Sequence, residues 1–220
     1  MGIVNMNNLL TICPSRGRPK ELKRMIDSFY QTSKKSDLIV WLDEDDPELE
    51  NYNFENYPVN VYTKPRHNIT YIYNKIFNDY KNYRYYSCTN DDFVYKTENW
   101  DIKLMTTGIA FGNDLYQGNH YPSTSVINGD IVRTLGWLQL PTLIHLCGDL
   151  VWNIIGVNCN CIKYFNDVII EHITPYNKKC EPDETFKNTI LKAIKSGLIP
   201  FALNITLHIC LYPLDTYNLY

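Results

Sequence analysis

The chain has no CxxC pair among its seven cysteines, so it lacks the spacing of zinc ribbons and thioredoxin-like centres; the lone Cys159-Asn160-Cys161 is weak evidence for a metal. It has no long basic run and a net charge of -3, which argues against a dedicated DNA- or RNA-binding module. It also lacks an unbroken apolar stretch of the about 20 residues that a membrane helix needs. The tail from Gly197 to Tyr220 is apolar, but Pro200, Asn204, Thr206, His208 and Pro213 interrupt it. No stable membrane insertion is expected. Met1 to Leu10 is too short and polar for a secretory signal, and an odd number of thiols points to a reducing cytoplasm. Internal repeats and low-complexity linkers are missing as well. What is present is an ordinary globular balance, 45% hydrophobic and 20% charged over 220 residues, enough for one domain with or without a C-terminal appendage. Tyrosine is abundant, at 18 residues. That bias fits an AT-rich viral, phage or low-GC genome and carries no mechanism.

Apolar runs and periodicity alternate along the first ninety residues. Leu9 to Cys13 reads as a buried strand ended by Pro14-Ser15-Arg16-Gly17-Arg18-Pro19, with Pro19 at a helix start. Leu22, Met25, Ile26 and Phe29 then share one helical face. Leu38 to Leu42 is a second strand closed by Asp43-Glu44-Asp45-Asp46, and Val59 to Tyr62 a third. Ile69 to Tyr80 has helical spacing, and Tyr83 to Cys88 is a fourth strand. This β-α-β-β-α-β order, with continuous apolar strands, predicts a mostly parallel sheet covered on both faces. Ligands of such sheets bind beyond the C-terminal strand ends. Ser15, Arg16, Arg18, Asp43, Asn90, Asp91 and Asp92 would gather there. Later, Trp100 to Met105 and Asp130 to Leu135 suit short helices, and Gly148-Asp149 opens another. Ile109 to Tyr116, Ser125 to Asn128, Ile162 to Phe165 and Val168 to Ile170 suit strands, the last ending at Glu171-His172.

The stretch from Tyr85 to Phe93 carries the chemistry. A β-prone aromatic run stops at Asn90-Asp91-Asp92. Two carboxylates at a strand end suit a hard divalent cation, which takes one or two carboxylates plus substrate phosphates. The same tripeptide also suits an Asx turn. Asp149, near the start of its helix, suits a cap. His145, in an apolar helical context, reads as a packed histidine, and Trp100, Trp137 and Trp152 read as core.

Taken in order, these pieces resemble the GT-A glycosyltransferases, above all the small family-2-like enzymes of bacteriophages and large DNA viruses. The resemblance rests on Thr11-Ile12-Cys13-Pro14-Ser15-Arg16-Gly17-Arg18-Pro19, Trp41-Leu42-Asp43, Asn90-Asp91-Asp92, Trp100-Asp101, Gly112-Asn113-Asp114, Leu135-Gly136-Trp137, His145-Leu146-Cys147-Gly148-Asp149 and Asp167-Val168-Ile169-Ile170-Glu171-His172. It covers about residues 8 to 180, and Asn90 stands where that family commonly has Asp. It implies a Rossmann-like GT-A domain over 1–180, with a nucleotide-binding half 8–95 and an acceptor half 96–180 that is smaller and antiparallel. A C-terminal helix and apolar tail would fill 181–220. It further implies a metal-dependent transfer from a nucleotide-sugar donor, a UDP-sugar first, to an acceptor hydroxyl with inversion. The acceptor is left open among a modified DNA base, a glycan, a lipid and a protein. Asp92 and His172 would bind Mn²⁺ or Mg²⁺. Asn90 and Asp91 would hold the ribose or metal-bound water. Asp43, Ser15 and Arg66 would contact the nucleoside, Arg16 the donor, and Lys178 or Lys179 the diphosphate; Asp114 would either position the sugar or merely end a strand. Asp149 would be the base. A nucleotidyltransferase and a non-catalytic sugar-binding protein remain the alternatives, the first disfavoured by the Gly-poor turn after the first strand.

Overall fold

The computed structural model describes residues 8–143 and 148–181. Backbone packing divides the chain into a unit Met1–Ile173 and a second unit Thr174–Tyr220. His145 and the tail 197–220 lie outside the described residues. In chain order the first unit runs β1 (Leu9–Ser15), α1 (Pro19–Thr32), β2 (Ser36–Asp43), β3 (Asn60–Lys64), α2 (Ile69–Asp79), β4 (Tyr85–Cys88), β5 (Phe93–Tyr95), α3 (Trp100–Leu104), β6 (Ile109–Asn113), β7 (Ser125–Asn128), α4 (Gly129–Leu135), α5 (Gly148–Asn158) and β8 (Ile162–His172).

The strands form one curled eight-stranded sheet of order β3-β2-β1-β4-β7-β6-β8-β5. The first four are parallel. β1 and β2 are buried on both faces, which is why they read as continuous apolar runs. Leu9, Cys13, Leu38 and Val40 pack under α1, whereas Leu10, Ile12, Ile39 and Trp41 pack under α2. Pro19 starts α1 without losing a needed N–H. Asn68 caps α2 by accepting from the Tyr71 N–H. The antiparallel region follows, with β7 against β4 and β6 against β7. β8 runs parallel to β6, and β5 antiparallel to β8. Trp100 and Trp152 are buried in the core.

The two sheet edges differ. At β5 the Tyr95 N–H donates to Ser28 Oγ of α1 (3.0 Å), so the helix closes that edge. At β3, Asn60, Val61, Thr63 and Lys64 stay exposed, flanked by Pro58 and Pro65.

Three details depart from the sequence reading. The candidate strands Ile162–Phe165 and Val168–Ile170 are one strand, joined across a bulge where the β6 partner jumps from Phe165 at Gly112 to Ile169 at Asn113. β6 stops at Asn113 rather than continuing to Tyr116, because the Asp114 carboxylate gathers the N–H groups of Tyr116, Gln117 and Gly118 into a turn. β5, only three residues long, was not expected. The bulge needs a glycine, since a Cβ on Gly112 would lie 2.4 Å from the Val168 carbonyl oxygen. Gly112→Ala is therefore expected to cost about 1–3 kcal/mol through overpacking, read as a lower urea midpoint at unchanged slope. Among the described residues no helix is long and apolar enough to cross a membrane.

Candidate active site at the strand ends

The turn after β1 sends two arginines to different acids. Gly17, in left-handed conformation (φ 69°), separates them, and its N–H donates to Asp46 Oδ2 (2.8 Å). Arg16 reaches Asp45 (2.5 Å) and Asp43 (3.4 Å) at the end of β2. Arg18 turns the other way, to Asp91 Oδ1 at 3.0 Å and Asp92 Oδ2 at 4.0 Å. Asp91 is only 5% exposed and accepts a second bond from Ser15 Oγ (2.7 Å). Burial pushes its carboxyl up to about 6 and Asp92 adds to this, against the pull of Arg18 and Ser15. Asp91 thus ties the β1 turn to the end of β4.

Asp92, also near Arg18, meets the end of β8. The antiparallel register of β5 and β8 pairs Phe93 with His172, and the two rings stack at 4.5 Å and 21°. That register sets His172 Nε2 at 3.3 Å from Asp92 Oδ2, although the residues are 80 apart in sequence. The Ile173 N–H holds the Asp92 carbonyl (2.8 Å), and the His172 N–H holds the Asp114 carbonyl (3.0 Å). Burial lowers the His172 pKa, but the hydrogen bond to Asp92, then the charges of Asp92, Asp114 and Asp149, outweigh it and raise the value. Asp92 Oδ1 is buried and accepts no hydrogen bond from any described residue. A buried carboxylate oxygen without a donor costs free energy unless an ion or ligand meets it. With the imidazole nitrogen alongside, these residues fit a divalent ion. Among the described residues no third His, Cys, Asp or Glu completes a ligand group. Such a pair suits an ion that draws its remaining ligands from phosphate and water.

Asp149 lies in the first turn of α5 and is partly buried. Its Oδ1 accepts from the Leu150 N–H (2.8 Å). Burial raises its carboxyl to about 6, while backbone N–H groups and the nearby charge of His172 pull it down. A helix N-terminus stabilises its anion, and neutral pH keeps it ionised.

The other candidate residues fall into distinct settings. Asp43 is buried, which raises its pKa against Arg16 and the more distant Arg66 Nε at 3.9 Å. Asn90 sits on the rim, its Oδ1 3.5 Å from the Tyr73 hydroxyl. Asp114 is fully engaged, with Ser123 Oγ also donating to it, so its carboxylate organises a loop. Lys178 belongs to the second unit, in left-handed conformation after the turn Pro175–Asn177. Arg18 was expected among the residues at the strand ends, but its pairing with Asp91 and its nearness to Asp92 were not. The signal was the glycine between two arginines, which frees them to diverge.

No family model matches the chain, and no curated protein does. Among solved structures it is similar to a mannosyltransferase from Pyrobaculum calidifontis in complex with GDP-Man and Mn²⁺, at 11% identity and TM-score 0.60. That match covers 78% of this chain and 58% of the other, so the chain spans little more than half of that relative's length. It is also similar to Rv0371C of Mycobacterium tuberculosis in complex with manganese (12% identity, TM-score 0.52, 78% of this chain and 95% of the other). A third likeness is to 4-diphosphocytidyl-2C-methyl-D-erythritol synthase of Anaerococcus prevotii (10% identity, TM-score 0.52, 84% and 96%). Identities this low show the fold alone. The chain has a Rossmann-like GT-A fold, which nucleotide-sugar transferases and nucleotidyltransferases share.

Proposed function

We propose that this protein is a metal-dependent glycosyltransferase that moves a sugar from a nucleoside diphosphate donor to an acceptor hydroxyl. One observation carries the reading. At the sheet's C-terminal rim, Asp92 Oδ1, which no described residue meets, and the His172 imidazole, bonded to Asp92 Oδ2, stand together within electrostatic reach of the Asp149 carboxylate. Asp92 and His172 would hold Mn²⁺ or Mg²⁺. Once bound, the ion supplies Lewis-acid stabilisation of the charge that grows on the departing diphosphate.

The chain's own residues do the rest. Arg18 Nη1, already beside both acids, adds positive charge where the diphosphate lies. Asp91, fixed by Ser15 and Arg18, holds that turn in place. Asp43, Arg66, Arg16 and Asn90 form the nucleoside side, with uridine the expected base. Lys178 is assigned to the diphosphate by the sequence resemblance alone. Asp149 takes the acceptor hydroxyl's proton, because an alcohol is a weak nucleophile until a carboxylate in hydrogen-bond reach relieves it. A base facing the departing group makes the displacement in line, with inversion.

A nucleotidyltransferase is the competing reading. The synthase likeness favours it, covering 96% of that chain against 58% of the mannosyltransferase. The Gly-poor turn Pro14–Arg18 counts against it. One assay separates the two: incubation with Mn²⁺ and either UDP-glucose or GDP-mannose, or with UTP or CTP plus a sugar 1-phosphate. Release of a nucleoside diphosphate from a nucleotide sugar is expected. Pyrophosphate release from the triphosphates, with the nucleotide sugars intact, would overturn the proposal.

A further inference from the structure

Helix α5 carries Asp149, and a side chain of α2 reaches the backbone that precedes it. Asn74 projects from α2 and grips the backbone between α4 and α5 with its whole carboxamide. Its Nδ2 donates to the Gln139 carbonyl (2.7 Å), while its Oδ1 accepts from the N–H groups of Leu138 (2.8 Å) and Gln139 (2.9 Å). From the opposite side, Trp152 Nε1 of α5 donates to the Leu138 carbonyl (3.0 Å). One dipeptide is therefore held by α2 and α5 together.

Gln139 extends the grip. Its side chain is 7% exposed and lies on the first residue of α5, so that a Cβ added to Gly148 would sit 2.0 Å from its Nε2 and 2.2 Å from its Oε1. Gln139 Oε1 accepts no hydrogen bond from the described residues, and the carboxamide lies as a spacer against α5. The residue after Gly148 is Asp149. Asn74 thus connects the helix that follows the Arg66 loop to the residue next to the carboxylate. The outer face of α5, with Ile154 and Val157 exposed, gives it little other anchorage on that side.

We propose that Asn74 is the positioning residue for Asp149, setting the carboxylate against the donor half through the Leu138–Gln139 backbone and the Gln139 side chain. This rests on the reading of Asp149 as the base. It adds that the distance between metal pair and base is fixed by a side-chain clamp as well as by the sheet.

The test follows Asp149 itself in the intact chain. Its side-chain carboxyl is titrated by ¹³C NMR and assigned by its loss in Asp149→Asn; His172 is the charged group that acts on it. Asn74→Ala is expected to let α5 rise and water reach the carboxylate, lowering the midpoint by about one unit as desolvation is relieved. Gly148→Ala, which forces Gln139 off α5, should move the same signal and keeps the question answerable if Asn74→Ala folds poorly. Asn128→Ala, which removes the α4 cap, is the control and should leave the midpoint unchanged. An unmoved midpoint in both Asn74→Ala and Gly148→Ala, or an equal shift in the control, overturns the proposal. In turnover of a nucleotide sugar, Asn74→Ala should lower kcat at least about tenfold with donor KM unchanged, as expected for misplaced geometry. A raised donor KM at unchanged kcat would also overturn it. If no nucleotide sugar is turned over, the glycosyltransferase reading fails while the titration still decides the role of Asn74.

Discussion

Asp92→Asn is expected to reduce metal-dependent turnover by about 10²–10³-fold, the kinetic equivalent of losing about 3–4 kcal/mol of charge stabilisation. The substitution keeps the side chain's shape and removes its charge. It should also abolish the extra rise in melting temperature that Mn²⁺ gives in the presence of a nucleoside diphosphate, since a ligand stabilises only in proportion to its binding. The apo protein should barely notice. Asp92 and His172 are each about one fifth exposed, and a partly screened pair of this kind contributes at most about 1 kcal/mol. The experiment thereby separates a lost ligand from a lost fold. Turnover equal to wild type in the asparagine variant would remove Asp92 from the metal site.

Asp149→Asn should lower kcat by about 10²–10⁴-fold, the range for loss of a positioned general base, while leaving donor binding intact. Its effect on stability has the opposite sign. In the folded chain the carboxyl is raised to about 6 from an ordinary 3.8. Between those values the native state binds more protons than the unfolded state, so stability falls as pH rises from about 4 to about 6. Above that window the full penalty remains. Asparagine removes it, so the variant should be more stable at pH 7 by about 1–2 kcal/mol, after discounting for partial exposure. At pH 4 the two proteins should be equally stable. Asp91 titrates in the same region, so the quantity to measure is the difference between variant and wild type. The wild-type rate should in turn fall on the acid side of pH 6 as Asp149 takes up a proton. A variant that is both inactive and no more stable at pH 7 would contradict the buried-base assignment.

The parallel half of the fold was legible because strands buried on both faces must be largely apolar, and Leu9 to Cys13, apart from Thr11, and Leu38 to Leu42 are. Their helices announced themselves by one-sided periodicity, the first opened by Pro19. β5 escaped because three residues cannot display a period, and β8 was split because its bulge interrupts the alternation. At the site, the order of motifs singled out Asp92, Asp149 and His172, but spacing could not say that Phe93 and His172 would stand in register. Side-chain pairing was harder still. That Asp91 would spend its charge on Ser15 and Arg18, or that Asn74 would clamp residues 65 positions away, depends on helix rotation and strand stagger, which leave no local trace.

The sheet's unequal borders bear on how the protein behaves in concentrated solution. With α1 sealing the Tyr95 side, β3 is, among the described residues, the border at which a foreign strand would find backbone partners. Lys64 and the prolines at 58 and 65 stand guard there, by charge and by withholding N–H groups. Fibril growth, were those three residues neutralised, would start from this margin, far in function from the chemistry the opposite strand ends support.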